Sequence, residues 1–203
     1  MKIAVIGAGA IGGLVGAKLA LAGEEVSFLV RARHVEAIRK NGFRLLHPDG
    51  TEQVAREIRV TESYAEAGVQ DVVILAMKAH QVEEALPDLP KLMGPDTVIV
   101  PMQNGIPFWY FNRHGGALEG SVVRSVDPEG TLLAGIDPAR ILGCVVYPAS
   151  ELIAPGVVRH IEGERFPLGE LDGSTSERVE RVSAAFTRAG FKSPVLDNIR
   201  AEI

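Results

Sequence analysis

"KIAVIGAGAIGG", Lys2 to Gly13, is the stretch whose reading decides the fold. Its first half, Lys2 to Gly7, is a short apolar run with β-branched residues, the pattern of a strand buried on both faces. The second half opens an Ala- and Leu-rich segment, Ala10 to Ala22, that stops before Gly23. That predicts a helix closed by a C-terminal glycine. "EVSFLV", Glu25 to Val30, reads as a second strand. Strand, helix and strand within about thirty residues make a βαβ unit, which requires a parallel sheet.

Between strand and helix lies G-x-G-x-x-G, formed by Gly7, Ala8, Gly9, Ala10, Ile11 and Gly12. Each glycine has a physical task. Gly7 permits the tight turn, Gly9 lets a pyrophosphate approach the backbone, and Gly12 lets helix and strand pack closely. Gly16, one turn on, extends that close contact. The helix N-terminus then offers unpaired N–H groups and a partial positive charge to phosphates. The pattern is weak alone and strong inside a complete βαβ unit.

The tip of the second strand selects the cofactor. NAD-preferring proteins carry Asp or Glu about 20 residues beyond the loop, bonded to the ribose hydroxyls. Here Val30 is followed by Arg31, Ala32, Arg33 and His34, with no acid. A carboxylate there repels a 2′-phosphate, whereas an arginine forms charge-assisted hydrogen bonds with it. The expectation is NADP(H), with Arg31 as the reader of the phosphate. Arg33 is as well explained by a solvated start to the next helix.

Further along, a short basic helix is expected over His34 to Lys40. "FRLLH" and "QVAREIRV" flank Pro48-Asp49-Gly50 and predict an inserted antiparallel hairpin. "DVVILAM", Asp71 to Met77, and "TVIVPM", Thr97 to Met102, return to the buried parallel pattern, with a helix around Gln81 to Leu92 between them. "RILGCVVYPA" and "GVVRHIE" predict two more strands joined through Pro155-Gly156. Ser174 and Glu177 have capping-box spacing for a helix to Ala189, and "FKSPVL" a last short strand. The fold expected is α/β, a Rossmann-type parallel sheet with helices on both faces and added antiparallel strands.

In open α/β sheets ligands sit at the carboxyl ends of strands. Lys78 and Gln81 follow one such end, and Gln103, Asn104 and Gly105 another. A lysine there offers an ammonium to a ribose or carboxylate; an asparagine offers donor and acceptor together. Solvated lysines and Asn-Gly turns are ordinary in such places, so these residues gain meaning from the glycine loop beside them.

The totals narrow the classes. A net charge of -5 and the lack of any long Lys/Arg run give no basis for nucleic-acid binding. No apolar run is long enough to span a bilayer and no leader pattern precedes the first strand, so the expectation is a cytoplasmic protein without a membrane partner. The single cysteine, Cys144, excludes an intrachain disulfide and reads as a small buried hydrophobe. His34, His47, His80, His114 and His160 have no metal-site spacing, and His80 and His160 read as structural or surface residues. No nucleophile signature is present.

With these residues in place the chain resembles the ketopantoate reductases (2-dehydropantoate 2-reductases). The GAGAIG loop, Arg31, "MKAHQ", "QNG", "APGVVRH" and the terminal "NIRAEI" follow one another in the order of that family. The resemblance implies NADPH-dependent reduction of a small 2-oxo acid to its 2-hydroxy acid, in pantothenate biosynthesis for the type enzymes. It implies cofactor contacts for Gly7 to Gly12, Arg31, Lys78, Gln81, Asn104 and Ala149, with Asn104 also beside the substrate. It divides the chain into a cofactor domain, residues 1–196, and the start of the first helix of a helical substrate and dimerisation domain, residues 197–203. The proton-donating lysine is then expected three positions beyond Ile203, and no catalytic residue within the chain.

That division accounts for the ending "LDNIRAEI", where Asn198 reads as an N-cap and Ile199 and Ile203 share one apolar face. Such a face, left unpartnered, could favour association into a homo-oligomer. "IPFWYFNRHGG" after Asn104 is more aromatic than in the type enzymes, so the substrate expected is 2-dehydropantoate or a close analogue. Two other classes fit the same residues: a non-catalytic NADPH-binding module, and another Rossmann dehydrogenase acting on a hydroxy acid or sugar acid.

Overall fold

The computed structural model describes residues 1–203. The central sheet has five strands, β1 (Lys2–Ile6), β2 (Glu25–Leu29), β5 (Ile58–Thr61), β6 (Gln70–Leu75) and β7 (Met93–Pro101), in the order β5-β2-β1-β6-β7. Every neighbouring pair is parallel, as the βαβ reading requires. Its strands bury alternate residues on two different cores. Ile3, Val5, Val72, Ile74, Val98 and Val100 face one; Ala4, Ile6, Val73, Leu75 and Ile99 face the other. Both faces are covered, which is why these strands read as unbroken apolar runs.

On the first face lie α1 (Ala10–Leu21) and α6 (Glu177–Arg188); on the second lie α3 (Tyr64–Ala67), α4 (Val82–Ala85) and α5 (Thr131–Gly135). α2 (Ala32–Asn41) follows β2 and buries only Ile38. A second sheet adds the antiparallel pairs. It contains β3 (Phe43–Leu46), β4 (Glu52–Ala55), β9 (Ala149–Ala154) and β10 (Val157–Glu162), ordered β4-β3-β10-β9. It covers the outer side of α1, so the middle of that helix, Gly12 to Ala17, is buried between the two sheets. Gly13 and Gly16 make this possible: a Cβ would stand 2.5 Å from the Phe43 ring at one and 2.5 Å from the Phe28 ring at the other. β8 (Leu142–Cys144) and β11 (Leu168–Glu170) form a short antiparallel pair.

Several local expectations are corrected. "QVAREIRV" is not one strand: it breaks at Arg56-Glu57, so β4 stays in the hairpin and β5 joins the edge of the parallel sheet. "RILGCVVYPA" likewise splits into β8 and the start of β9. The helix expected over Gln81 to Leu92 is three short pieces, Ala79–Gln81 and Leu89–Leu92 as 3₁₀ turns around α4, because Pro87 and Pro90 remove backbone donors. The cap of α6 is Ser176, whose hydroxyl accepts from the Val179 N–H, while Ser174 closes a turn on Asp172. The terminal Ile199–Glu202 is a 3₁₀ turn, and Asn198 makes no side-chain cap bond.

Candidate functional site

Because its strands are parallel, the five-stranded sheet gathers their carboxyl ends along one edge. Gly7, Val30-Arg31, Ala76-Met77-Lys78 and Met102-Gln103-Asn104 all leave the sheet there. Backbone bonds carry the ladder into these exits, from Gly7 N–H to Leu29 O (3.2 Å), Ala76 N–H to Ile6 O (2.9 Å) and Met102 N–H to Leu75 O (3.0 Å).

The three loop glycines meet three different surroundings. Gly7 has φ 98°, a conformation L side chains rarely adopt, and a Cβ on it would sit 3.0 Å from the Met77 amide nitrogen. A Cβ on Gly12 would fall 2.0 Å from the Gly7 carbonyl oxygen and 2.8 Å from Ala76 Cβ. At Gly9, the N-cap of α1, a Cβ would meet nothing within 4 Å. Packing therefore explains the first and last glycines and leaves the middle one unexplained. Open space over a helix N-terminus with no acid in its first turn is the geometry an anionic pyrophosphate needs. A dinucleotide fits this loop.

Arg31 is exposed, precedes α2 as its N-cap, and its side chain holds no ion pair. Arg33 instead turns to the His34 ring, 3.2 Å away. Lys78 is exposed and unpaired at the end of β6, and its backbone N–H donates to Gln81 Oε1 at 3.3 Å. Gln81 is thereby occupied in shaping the turn below Lys78.

Asn104 bridges the end of β7 to the segment after β8. Its Nδ2 donates to Val146 O (2.8 Å) and its Oδ1 accepts from Val146 N–H (3.1 Å). One amide hydrogen and one lone pair remain for a ligand. The neighbouring Gln103 donates to Leu75 O (2.7 Å) and Met77 O (2.9 Å), tying the β6 and β7 exits together. Ala149 is half-buried at the start of β9, paired in register with Glu162.

Asn104 borders a cleft of about 280 Å³. Its walls include Trp109 and Tyr147, and its rim includes Glu202 and Ile203 from the terminal turn. Glu202 is locked: Arg165 grips it with two bonds, Nη1 to Oε2 (2.5 Å) and Nη2 to Oε1 (3.0 Å), and the Tyr147 hydroxyl donates to Oε2 (2.7 Å). These donors, Arg165 first, push its carboxyl down to about 2. The guanidinium also lies over the Tyr147 ring, 5.0 Å from its centre.

The terminal segment is thus no loose tail. Ile199 is fully buried in the second core, which corrects the expectation of an unpartnered Ile199–Ile203 face; only Ile203 is exposed. Arg200 spans the carbonyls of Tyr110, Asn112 and Leu171. Sequence reasoning noticed the apolar pair in "NIRAEI" and missed Arg200 and Glu202. Tyr147 and Arg165 carried no local signal, because their partner lies 55 and 37 residues away. His80 is exposed, and His160 is buried with Nε2 2.6 Å from Gly163 O, so neither enters the site. No group of three His, Cys, Asp or Glu side chains is arranged to hold a metal, and no helix is long and apolar enough to cross a membrane.

Known proteins share this fold. A 2-dehydropantoate 2-reductase of Mesorhizobium japonicum is 49% identical over all of this chain, which spans 62% of that relative's length. A chain from Ralstonia solanacearum assigned to the ketopantoate reductases superposes with a TM-score of 0.93 at 39% identity, covering 100% of this chain and 62% of that one. A D-mandelate dehydrogenase solved with NADH and anilino(oxo)acetate gives 0.78 at 25% identity, covering 98% of this chain and 58% of that one. The family description "Ketopantoate reductase PanE/ApbA" matches residues 3–173. With the fold, the loop and these likenesses agreeing along its length, the chain belongs to the ketopantoate reductase family.

Proposed function

We propose that this chain is the cofactor-binding part of an NADPH-dependent oxidoreductase that reduces a 2-oxo acid, 2-dehydropantoate or a close analogue, to the 2-hydroxy acid. The observation that carries the reading is the glycine loop, in which Gly7 and Gly12 are required by packing and Gly9 only by an approaching ligand. The backbone of Gly7 to Gly12 would hold the pyrophosphate, and Arg31 the 2′-phosphate. Lys78, Gln81 and Ala149 would border the cofactor, and the free half of the Asn104 amide would meet nicotinamide and substrate. The bound cofactor supplies the hydride.

Residues 197–203 we read as the joint to a helical domain, with the general-acid lysine expected soon after Ile203. The exposed Ile203 and the cleft beside it support that reading. The D-mandelate dehydrogenase likeness favours one second reading, a dehydrogenase of another 2-hydroxy acid.

Replacing Arg31 with Ala tests the cofactor assignment. NADPH binding should weaken roughly ten- to a hundredfold, the range for a hydrogen bond to a charged group, while NADH binding barely changes. Fluorescence titration of both cofactors reads this directly. Equal losses for the two would show that Arg31 does not read the 2′-phosphate.

A further inference from the structure

The hydrogen-bonded ladder between β6 and β7 ends where the two strands leave the sheet. Its last backbone bond runs from Met102 N–H to Leu75 O, at 3.0 Å. Two residues further on, the Met77 carbonyl receives no backbone N–H. The Gln103 side chain takes over there: its Nε2 donates to Leu75 O (2.7 Å) and to Met77 O (2.9 Å). Both hydrogens of the amide are spent on the β6 exit. The opposite orientation is closed to it, because Oε1 would then face two carbonyl oxygens with no hydrogen between them.

What Met77 supports gives this bond its consequence. The Ala76–Met77 peptide is the surface on which the glycine loop rests. A Cβ on Gly7 would stand 3.0 Å from Met77 N and 3.1 Å from Ala76 C, and one on Gly12 would stand 2.8 Å from Ala76 Cβ. Lys78 follows that peptide directly. On the neighbouring strand, Asn104 is pinned to Val146 by two bonds of its own. Gln103 thus joins the exit that carries Asn104 to the peptide under the loop.

We propose that Gln103 is a positioning residue, whose amide sets the spacing between the phosphate-binding loop and Asn104, the two points a dinucleotide must reach at once. The inference rests on the cofactor reading given above and adds to it a residue that acts through Met77 and Asn104. A ligand held at both ends gains from the second contact only if the two contacts stand at the right separation. A ligand held at one end has no such requirement.

Two ligands separate this role from general support of the fold. NADPH spans both ends; adenosine 2′,5′-bisphosphate carries the adenosine end and lacks the nicotinamide. Both are titrated against the protein expressed from its complete reading frame. Gln103→Met keeps the length of the side chain and removes its donors. It should weaken NADPH binding about tenfold, the worth of one or two hydrogen bonds, and leave the bisphosphate within about twofold of the unaltered protein. Gln103→Lys restores N–H donors on a stem of similar reach. It should bring the ratio of the two affinities back to within about threefold of the original. A contact that merely supports the fold would move both ligands together. Unchanged NADPH binding in Gln103→Met, equal losses for the two ligands, or a ratio that Gln103→Lys fails to restore would overturn the assignment and leave the cofactor site in place. No NADPH binding by the unaltered protein would instead overturn the cofactor reading, and this inference with it.

Discussion

Ile199 fills a notch that exists because residue 143 is glycine: a Cβ there would stand 2.8 Å from Ile199 Cγ2 and 3.0 Å from Trp109 Cη2. Gly169 lines the other side, where a Cβ would come within 2.9 Å of Ile199 Cβ. The terminal turn is therefore keyed into the short β8–β11 pair by shape. Gly143→Ala should destabilise the chain by about 1–3 kcal/mol through overpacking, and Ile199→Ala by about 2–5 kcal/mol through the cavity it leaves. Ile199→Val placed on Gly143→Ala should recover part of the loss, because the two side chains compete for one space. Urea denaturation of the set checks this; strict additivity would mean that the notch does not couple them.

The loop glycines separate into two kinds of failure. Gly12→Val places atoms on the Gly7 carbonyl and should leave little folded protein. Gly9→Val meets no atom of the chain within 4 Å, so the domain should stay folded with an unchanged circular dichroism spectrum and melting temperature. Its side chain would stand where the pyrophosphate must approach, and NADPH binding should be lost. Near-normal NADPH affinity in folded Gly9→Val would remove the loop from the site.

The Glu202 lock has a defined pH window. Hydrogen bonds from Arg165 and then Tyr147 hold its carboxyl at about 2, below the usual carboxylate range. A depressed folded-state value means that the lock is whole above the unfolded carboxylate pKa, about 4.3, and is lost as pH falls through about 2. The side-chain carbonyl carbon of Glu202, followed by NMR, should titrate near 2. In Arg165→Ala the midpoint should climb toward 4. A midpoint near 4 in the unaltered protein would mean that the three-residue lock does not form in solution.

Sequence reading reached the parts of this molecule that depend on local pattern. Two-sided burial writes itself into β1, β6 and β7 as apolar runs, and the turn at Gly7 and the close contact at Gly12 demand glycine whatever surrounds them. The fold class and the βαβ unit around the glycine loop followed from that. Elements governed by distant partners were less legible. β5 was merged with β4 because nothing in "QVAREIRV" marks where its partner changes from the hairpin to β2. Burial of Ile199 was invisible, since the space for it is made by Gly143 and Gly169, whose lack of a side chain carries no direction. The cleft stayed hidden for the same reason: Trp109, Tyr147, Arg165 and Glu202 come from four separate segments, and only the folded chain brings them beside Asn104.

The last prediction concerns what the 203 residues do alone. NADPH should bind, because the loop, Arg31 and Lys78 are formed and unobstructed. Reduction of a carbonyl also needs a proton delivered at its oxygen, and the cleft holds none to give. Glu202 is ionised by its partners. The Tyr147 hydroxyl is committed to Glu202, and that hydrogen bond pushes its pKa up. Burial pushes the Cys144 thiol up, well away from neutral pH. Lacking a positioned acid removes a factor of about 10²–10⁴ in rate, before any loss of substrate orientation. NADPH oxidation with ketopantoate or 4-methyl-2-oxopentanoate should be nearly silent for the 203-residue chain, although a fluorescence titration shows the cofactor bound. The protein expressed from its complete reading frame should turn over. Equal activity in both would assign the acid to this chain, and Lys78, the unpaired ammonium nearest the strand ends, would be the residue to replace first.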